Sequence, residues 1–305
     1  MTILAGTGDE VVRFGERAES VLDCGTVTLV RRLGPHGLFA ATETGLYRST
    51  DDGDSWEDLG VPTRGVHSVA VGEGGDLYAG TDGVHLYVSA DEGETWTLQV
   101  TREDLPGSDE WETPPHHSEP RIRTVETHVD DPSWLVLGVE VGGVYVSDDG
   151  GEGWRSRRDG VHDDVHHVLV ESSGRYVVST GTGIYRTEDG GRSWTRLDAD
   201  VPHRYVSESI SFEGSVYAGI ARGPPGEWNG PDGADGLLLR FDGDRSEGER
   251  LAYPGEPEAM ISAWTVDGDD LFGGTNDGTL LRLRGSNWRM MGSTDSRIRT
   301  LASTA

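Results

Sequence analysis

The chain has 305 residues, and 54 Asp and Glu against 26 basic residues give it a net charge of −28. That balance sets it against duplex nucleic acid and anionic membrane surfaces, so neither is expected as a partner. Cys24 is the one cysteine, which leaves no intrachain disulfide and no thiolate metal cluster.

Residues 1–24 hold three short apolar stretches, at 3–7, 10–14 and 20–24, each read as a strand. From residue 25 one unit recurs: an inner strand after a polar loop, two more strands, then a tight turn and an outer strand. The third strands end in Tyr47, Tyr87, Tyr145 and Tyr185. The turns that follow are Ser49-Thr-Asp51-Asp-Gly53-Asp-Ser-Trp56, Ser89-Ala-Asp91-Glu-Gly93-Glu-Thr-Trp96, Ser147-Asp-Asp149-Gly-Gly151-Glu-Gly-Trp154 and Thr187-Glu-Asp189-Gly-Gly191-Arg-Ser-Trp194. Self-similarity of this size means a repeat architecture. Four modules therefore lie at 25–60, 65–100, 121–158 and 164–200. Two more, at 204–254 and 258–292, keep the strand spacing and, in the second, the closing Trp288, but have lost the Asp of the turn.

The tail Arg297-Ile-Arg299-Thr-Leu301 repeats the opening Arg121-Ile-Arg123-Thr-Val125 of the module at 121–158, so it reads as an inner strand. The first 24 residues lack one. The expected fold is all-β: a single-domain, seven-bladed β-propeller over 1–305, in which residues 297–305 complete the blade begun by 1–24. Such a closure pairs the edges that the two ends would otherwise expose.

In the turn, Asp accepts hydrogen bonds from backbone N–H groups, Ser or Thr does so more weakly, and Gly takes a positive φ that a side chain would forbid. The pattern Ser/Thr-x-Asp-x-Gly-x-x-Trp resembles the Asp-box (BNR) repeat of sialidase-like β-propellers, matched four times. The resemblance implies turns between third and fourth strands, on the disc face away from the one that usually binds ligands. Asp51, Asp91, Asp149 and Asp189 are then turn stabilisers, with calcium or sugar contact as the other reading. As a whole the chain is similar in pattern to the glycosyl hydrolase-like repeat proteins of the sialidase superfamily. It is similar as well to propellers of the photosystem II assembly factor type, whose disc is a scaffold for other proteins.

The charge is spread over every blade among Trp, Val, Leu and Ile, so it belongs to a folded surface. Every basic residue is Arg. Uniform acidity without Lys reads as adaptation to molar salt inside an extreme halophile, where a Debye length of about 3 Å suppresses self-repulsion. No charged leader or apolar targeting segment precedes the first strand, and the expected location is the cytoplasm.

Two long Pro/Gly-rich connections fall on the opposite face, residues 101–120 with Trp111, His116 and His117, and residues 221–236 with Trp228 and Asn229. Each carries a Trp that reads as exposed for binding. The inner strands begin on that face. Aligning them places His67, Arg123, His166, Glu208 and Arg299 at equivalent positions around the mouth of the central channel. These residues either fill a water-lined channel or form a pocket for an anion or a sugar acid, with Arg clamping a carboxylate.

Two chemistries follow from the same residues. The sialidase resemblance implies an arginine triad, for which Arg123, Arg204 and Arg299 are candidates, a nucleophile pair of Tyr205 and Glu208, and a proton donor at Asp163 or Asp164. Alternation along a strand, however, points Tyr205 and Glu208 to opposite sides. A metal site from His162, Asp164, His166 and His167 is a second candidate, with a spacing that matches no ligand motif. No cofactor is expected. The favoured reading is a propeller that binds a protein partner or a small acidic ligand at the channel mouth, the alternative a sialidase-like glycoside hydrolase acting on a sugar acid.

Overall fold

The computed structural model describes residues 2–15, 17–111, 119–128, 130–228, 230, 232–243, 245, 247–256 and 258–305. Seven four-stranded antiparallel sheets stand in a ring, each one a blade. Blade 1 is built from β1 (Ile3–Gly6), β2 (Glu10–Phe14) and β3 (Ala18–Asp23), with β28 (Thr300–Ser303) innermost. Blade 2 runs outward as β4 (Val27–Arg32), β5 (Leu38–Thr42), β6 (Leu46–Ser49) and β7 (Glu57–Asp58). Blade 3 is β8 (Val66–Val71), β9 (Leu77–Thr81), β10 (Leu86–Ser89) and β11 (Thr97–Val100), and blade 4 is β12 (Arg121–Thr127), β13 (Leu135–Glu140), β14 (Gly143–Ser147) and β15 (Arg155–Ser156). Blade 5 is β16 (Val165–Val170), β17 (Tyr176–Thr180), β18 (Gly183–Thr187) and β19 (Thr195–Arg196). Blade 6 is β20 (Tyr205–Phe212), β21 (Ser215–Ala221), β22 (Leu237–Asp242) and β23 (Glu249–Leu251), and blade 7 is β24 (Ile261–Asp267), β25 (Asp270–Thr275), β26 (Thr279–Arg284) and β27 (Asn287–Ser293).

The second strands β5, β9, β13 and β17 are buried at every residue. Each sheet is covered on both faces by its neighbours, so these strands read as unbroken runs rather than as an alternation of apolar and polar. The core accordingly lies between sheets. Phe39, Ala41 and Leu46 of blade 2 pack on Val66, Val69 and Leu77 of blade 3, and Val136 and Val144 of blade 4 on Val165, Val168 and Tyr176 of blade 5. The ring shuts where β28 pairs with β1, Ile3 opposite Ser303 and Gly6 opposite Thr300. Ile3 and Ala5 then share a cluster with Phe272 of blade 7 and with Leu301.

The four repeated turns join third to fourth strands through one hydrogen-bond pattern. Ser49 Oγ donates to Asp51 Oδ1 at 2.8 Å and accepts the Gly53 N–H at 2.8 Å, while Asp51 also accepts the N–H of Ser55 at 2.9 Å. Thr187 and Asp189 repeat it with Gly191 and Ser193 at 2.8–2.9 Å. Gly53 sits at φ 89°, which a side chain would strain. The Trp does more than cover its own turn. Trp96 Nε1 donates to Leu59 O at 2.9 Å and Trp194 Nε1 to Arg157 O at 2.8 Å, each a carbonyl of the preceding blade. Trp154 Nε1 closes instead on Gly151 O of its own turn, at 3.1 Å. No helix among the described residues is long and apolar enough to cross a membrane.

Candidate functional site at the channel mouth

Each inner strand has a fully buried branched residue at its first or second position, Val27, Val66, Ile122, Val165, Val206 and Ile261, and Ile298 stands just ahead of β28. Immediately after the buried residue, in six blades, the register with the second strand slips by one residue. A β-bulge re-aims the extra residue out of the ladder. The residues that follow the buried positions are Thr28, His67, Arg123, His166, Ser207, Ser262 and Arg299, and all seven line one cavity of about 760 Å³.

Glu208 is not at this level, contrary to the sequence alignment. Its strand is offset by one, because Val206 matches Val66 and not Gly65, and Ser207 takes the mouth position. Glu208 lies one residue further along β20, where its carboxyl accepts the Trp264 N–H at 3.2 Å. Burial pushes its pKa up to about 8, against the opposing pull of that hydrogen bond and of Arg31. Tyr205 and Glu208 nevertheless both line the cavity. Strict alternation would separate them, and the bulge between Val206 and Ser209 undoes that separation.

Deeper still, Arg31 of β4 grips Glu126 of β12 through Nη1 to Oε1 at 2.6 Å and Nη2 to Oε2 at 2.7 Å. His167 is close to this pair. Burial, and then the charges of Arg31 and Arg123, push its pKa down to about 3.

The mouth itself is rich in guanidinium. Arg121 and Arg123 approach the same oxygen of Glu140 at 3.5 and 3.4 Å, and Arg121 also faces Asp82 at 3.5 Å. His67 Nε2 lies 2.8 Å from Asp82, and burial depresses its pKa. Arg297 and Arg299 have no carboxylate within 4.0 Å among the described residues. Burial, with neighbouring guanidinium charge adding to it, lowers the pKa of both. Arg297 lies 5.2 Å from the ring centroid of Trp228, Trp228 meets Tyr205 edge-on at 5.7 Å, and Tyr205 packs on His166 at 4.9 Å. The result is an aromatic wall beside three guanidiniums that repel one another.

Arg297 was missed as a site residue, although the doublets Arg121-Ile-Arg123 and Arg297-Ile-Arg299 carry the signal. Arg204, placed in the triad from sequence, is exposed and outside the cavity lining. Trp228 is also outside the lining, but it packs on Arg297 and Tyr205, which belong to it. Trp111 does not stand exposed: it is 8% accessible, packs edge-on against Tyr145 at 5.9 Å and donates Nε1–H to Tyr145 Oη at 3.1 Å. An indole needs a partner for its N–H when buried, and here it staples the long connection to blade 4. His116, His117 and Asn229 lie outside the described residues.

The metal candidates are not assembled. His166 Nε2 is 3.5 Å from Asp164 Oδ1 with its Nδ1 on Val206 O at 2.7 Å, and His162 Nδ1 accepts the Asp164 N–H at 3.2 Å. Burial raises the pKa of Asp164 but is outweighed by its contact with His166, so the net shift is downward. His167 lies with Arg31 instead. No group of three or more His, Cys, Asp or Glu among the described residues is placed to hold a metal ion.

No protein-family model matches the chain. Over 257 residues, 81% of its length, it is 29% identical to the photosystem II assembly lipoprotein Ycf48 of Synechococcus sp. (strain CC9902), of which it covers 68%. The solved structure of YCF48 bound to D1 peptide shares its fold with a TM-score of 0.62 at 15% identity, over 95% of this chain and 83% of that one. The GH74 xyloglucanase from Xanthomonas campestris does so with a TM-score of 0.65 at 19% identity, over 94% of this chain and 46% of that one. This chain thus spans under half the length of the xyloglucanase, and at these identities the structural likeness is one of fold. It is a seven-bladed propeller similar to Ycf48 and to GH74 propellers.

Proposed function

We propose that this propeller is a binding protein, without chemistry of its own, whose channel mouth seats a carboxylate-bearing segment of a protein partner or a small acidic ligand. One observation carries it. In a chain of net charge −28 the guanidiniums of Arg297 and Arg299 stand at the mouth beside Arg123 with no carboxylate within 4.0 Å among the described residues, Glu43 of the same lining opposing the burial of Arg299 only from further off. Desolvated and mutually repelling cations are relieved by an anion, and an Arg fork matches a carboxylate in two hydrogen bonds. The likeness to Ycf48, and to a solved YCF48 that holds a D1 peptide, supports a protein partner.

Anisotropy of a fluorescein-labelled oligoglutamate peptide, and competition by citrate, tests the reading and separates the two ligand sources. Arg299→Ala and Arg123→Ala should each weaken binding about ten-fold, or roughly 1.4 kcal/mol, with an unchanged melting curve. Equal binding by wild type and both variants would remove the mouth as the site. The hydrolytic alternative rests on Tyr205 and Glu208 sharing the cavity. Turnover of an aryl glycoside that is lost in Glu208→Gln would replace the binding reading with an enzyme.

A further inference from the structure

Short outer strands blunt most of the rim. β7, β15 and β19 have two residues each, β23 three and β11 four. The two long ones, β27 with seven residues and β3 with six, belong to neighbouring blades 7 and 1. Their chemistry is opposite. β27 holds no carboxylate. It presents Arg289, exposed and without an ion-pair partner among the described residues, together with Met290 and Met291 at 63% and 43% exposure. Those two Met are most of the large hydrophobic surface exposed among the described residues, Leu98 being the other such side chain. β3 instead shows Asp23 and Glu19 to solvent, Glu19 lying 3.5 Å from Arg13 of β2. The stretch from 271 to 299 carries Arg282, Arg284, Arg289, Arg297 and Arg299 against Asp277 and Asp295, in a chain of net charge −28. Folded proteins normally shorten or charge a free sheet edge, and exposed apolar side chains on one mark a contact surface.

We propose that this rim joins two copies of the chain in a two-fold dimer, with β27 of each copy facing β3 of the other. An axis parallel to the channel brings blade 7 opposite the partner's blade 1, and blade 1 opposite the partner's blade 7. One patch therefore satisfies itself twice, as an isologous contact requires. Both strands are the fourth of their blades and run the same way, so side chains carry the contact. Arg289 meets the acidic β3 edge and the Met pair is covered. The discs lie side by side with both mouths open on one side.

Sedimentation of the purified chain over a roughly hundred-fold concentration range tests this, in about 0.15 M KCl, where a screening length of about 8 Å mutes the longer-range repulsion between two acidic discs and spares close pairs. The mass should rise toward twice that of the chain. Met290→Asp with Met291→Asp, and separately Arg289→Glu, should each weaken the dimer at least ten-fold, with melting curves confirming that the exposed substitutions leave the fold intact. Combining Arg289→Glu with Glu19→Arg and Asp23→Arg in one chain should restore it, because reversed charges meet again across the axis. A monomer at every concentration, a dimer indifferent to the β27 substitutions, an open-ended larger assembly, or no rescue by the charge swap each overturns the proposal.

Discussion

Arg31 and Glu126 meet guanidinium to carboxylate at 2.6 and 2.7 Å although the whole of blade 3 separates their strands in sequence. The pair ties blade 2 to blade 4 inside the channel. Glu126 is buried while Arg31 keeps about a third of its side chain exposed in the channel, so removing Arg31 leaves a buried carboxylate uncompensated.

Arg31→Met should therefore destabilise the protein by about 3 kcal/mol, and the double change Arg31→Met with Glu126→Leu should recover most of it. Urea unfolding of both variants measures the difference. A double variant as weak as the single would mean that the pair acts through channel packing and not through charge.

Glu208 makes the channel sensitive to alkali. Its carboxyl titrates near 8 in the folded chain against 4.5 for an ordinary Glu, so between these values the native state holds a proton that the unfolded state has released. Stability falls as pH rises through that window. Glu208→Gln should melt several degrees above wild type at a pH just past 8 and level with it near pH 5. An equal gain at both would point to packing as the cause.

The repeated turns predict the acid limb. Hydrogen bonds from Ser55 and Ser49 hold Asp51 at about 2, and those from Ser193 and Thr187 hold Asp189 at about 2, against 3.8 for an ordinary Asp. A depressed carboxylate stabilises above its unfolded value and loses that contribution as pH falls through the folded one. Unfolding should steepen from about pH 4 down to about pH 2, and Asp51→Asn with Asp189→Asn should flatten that limb in circular dichroism.

Salt should stabilise. Two acidic side chains for each basic one repel in dilute buffer, and about 1 M KCl cuts the screening length to about 3 Å. Melting temperature should rise by several degrees from dilute buffer to that salt. A flat profile would argue against adaptation to a saline cell.

The blades were legible because strand spacing, turn residues and the copied Arg-Ile-Arg-Thr tail repeat at the level of short peptides, where backbone geometry alone selects residue types. The site was legible only in part. Placing Glu208 at the mouth ignored a one-residue offset at Val206, and hydrophobic pattern does not reveal which residue a bulge will extrude. Trp111 looked exposed because its partner Tyr145 comes 34 residues later. Arg31 and Glu126 left no signal at all, since their pairing depends on ring curvature that neither strand encodes locally.

The union of β1 with β28 also sets a clock. Roughly 300 residues at about 5–20 per second put about 15–60 s of synthesis between the two partners. For that interval the first three strands have no inner neighbour, while blades 2 to 7 can assemble behind them. β1, β2 and β3 are thus housed only after every later blade has been made, and a nascent chain stalled before β28 would present them as an open template to chaperones or to another unfinished copy.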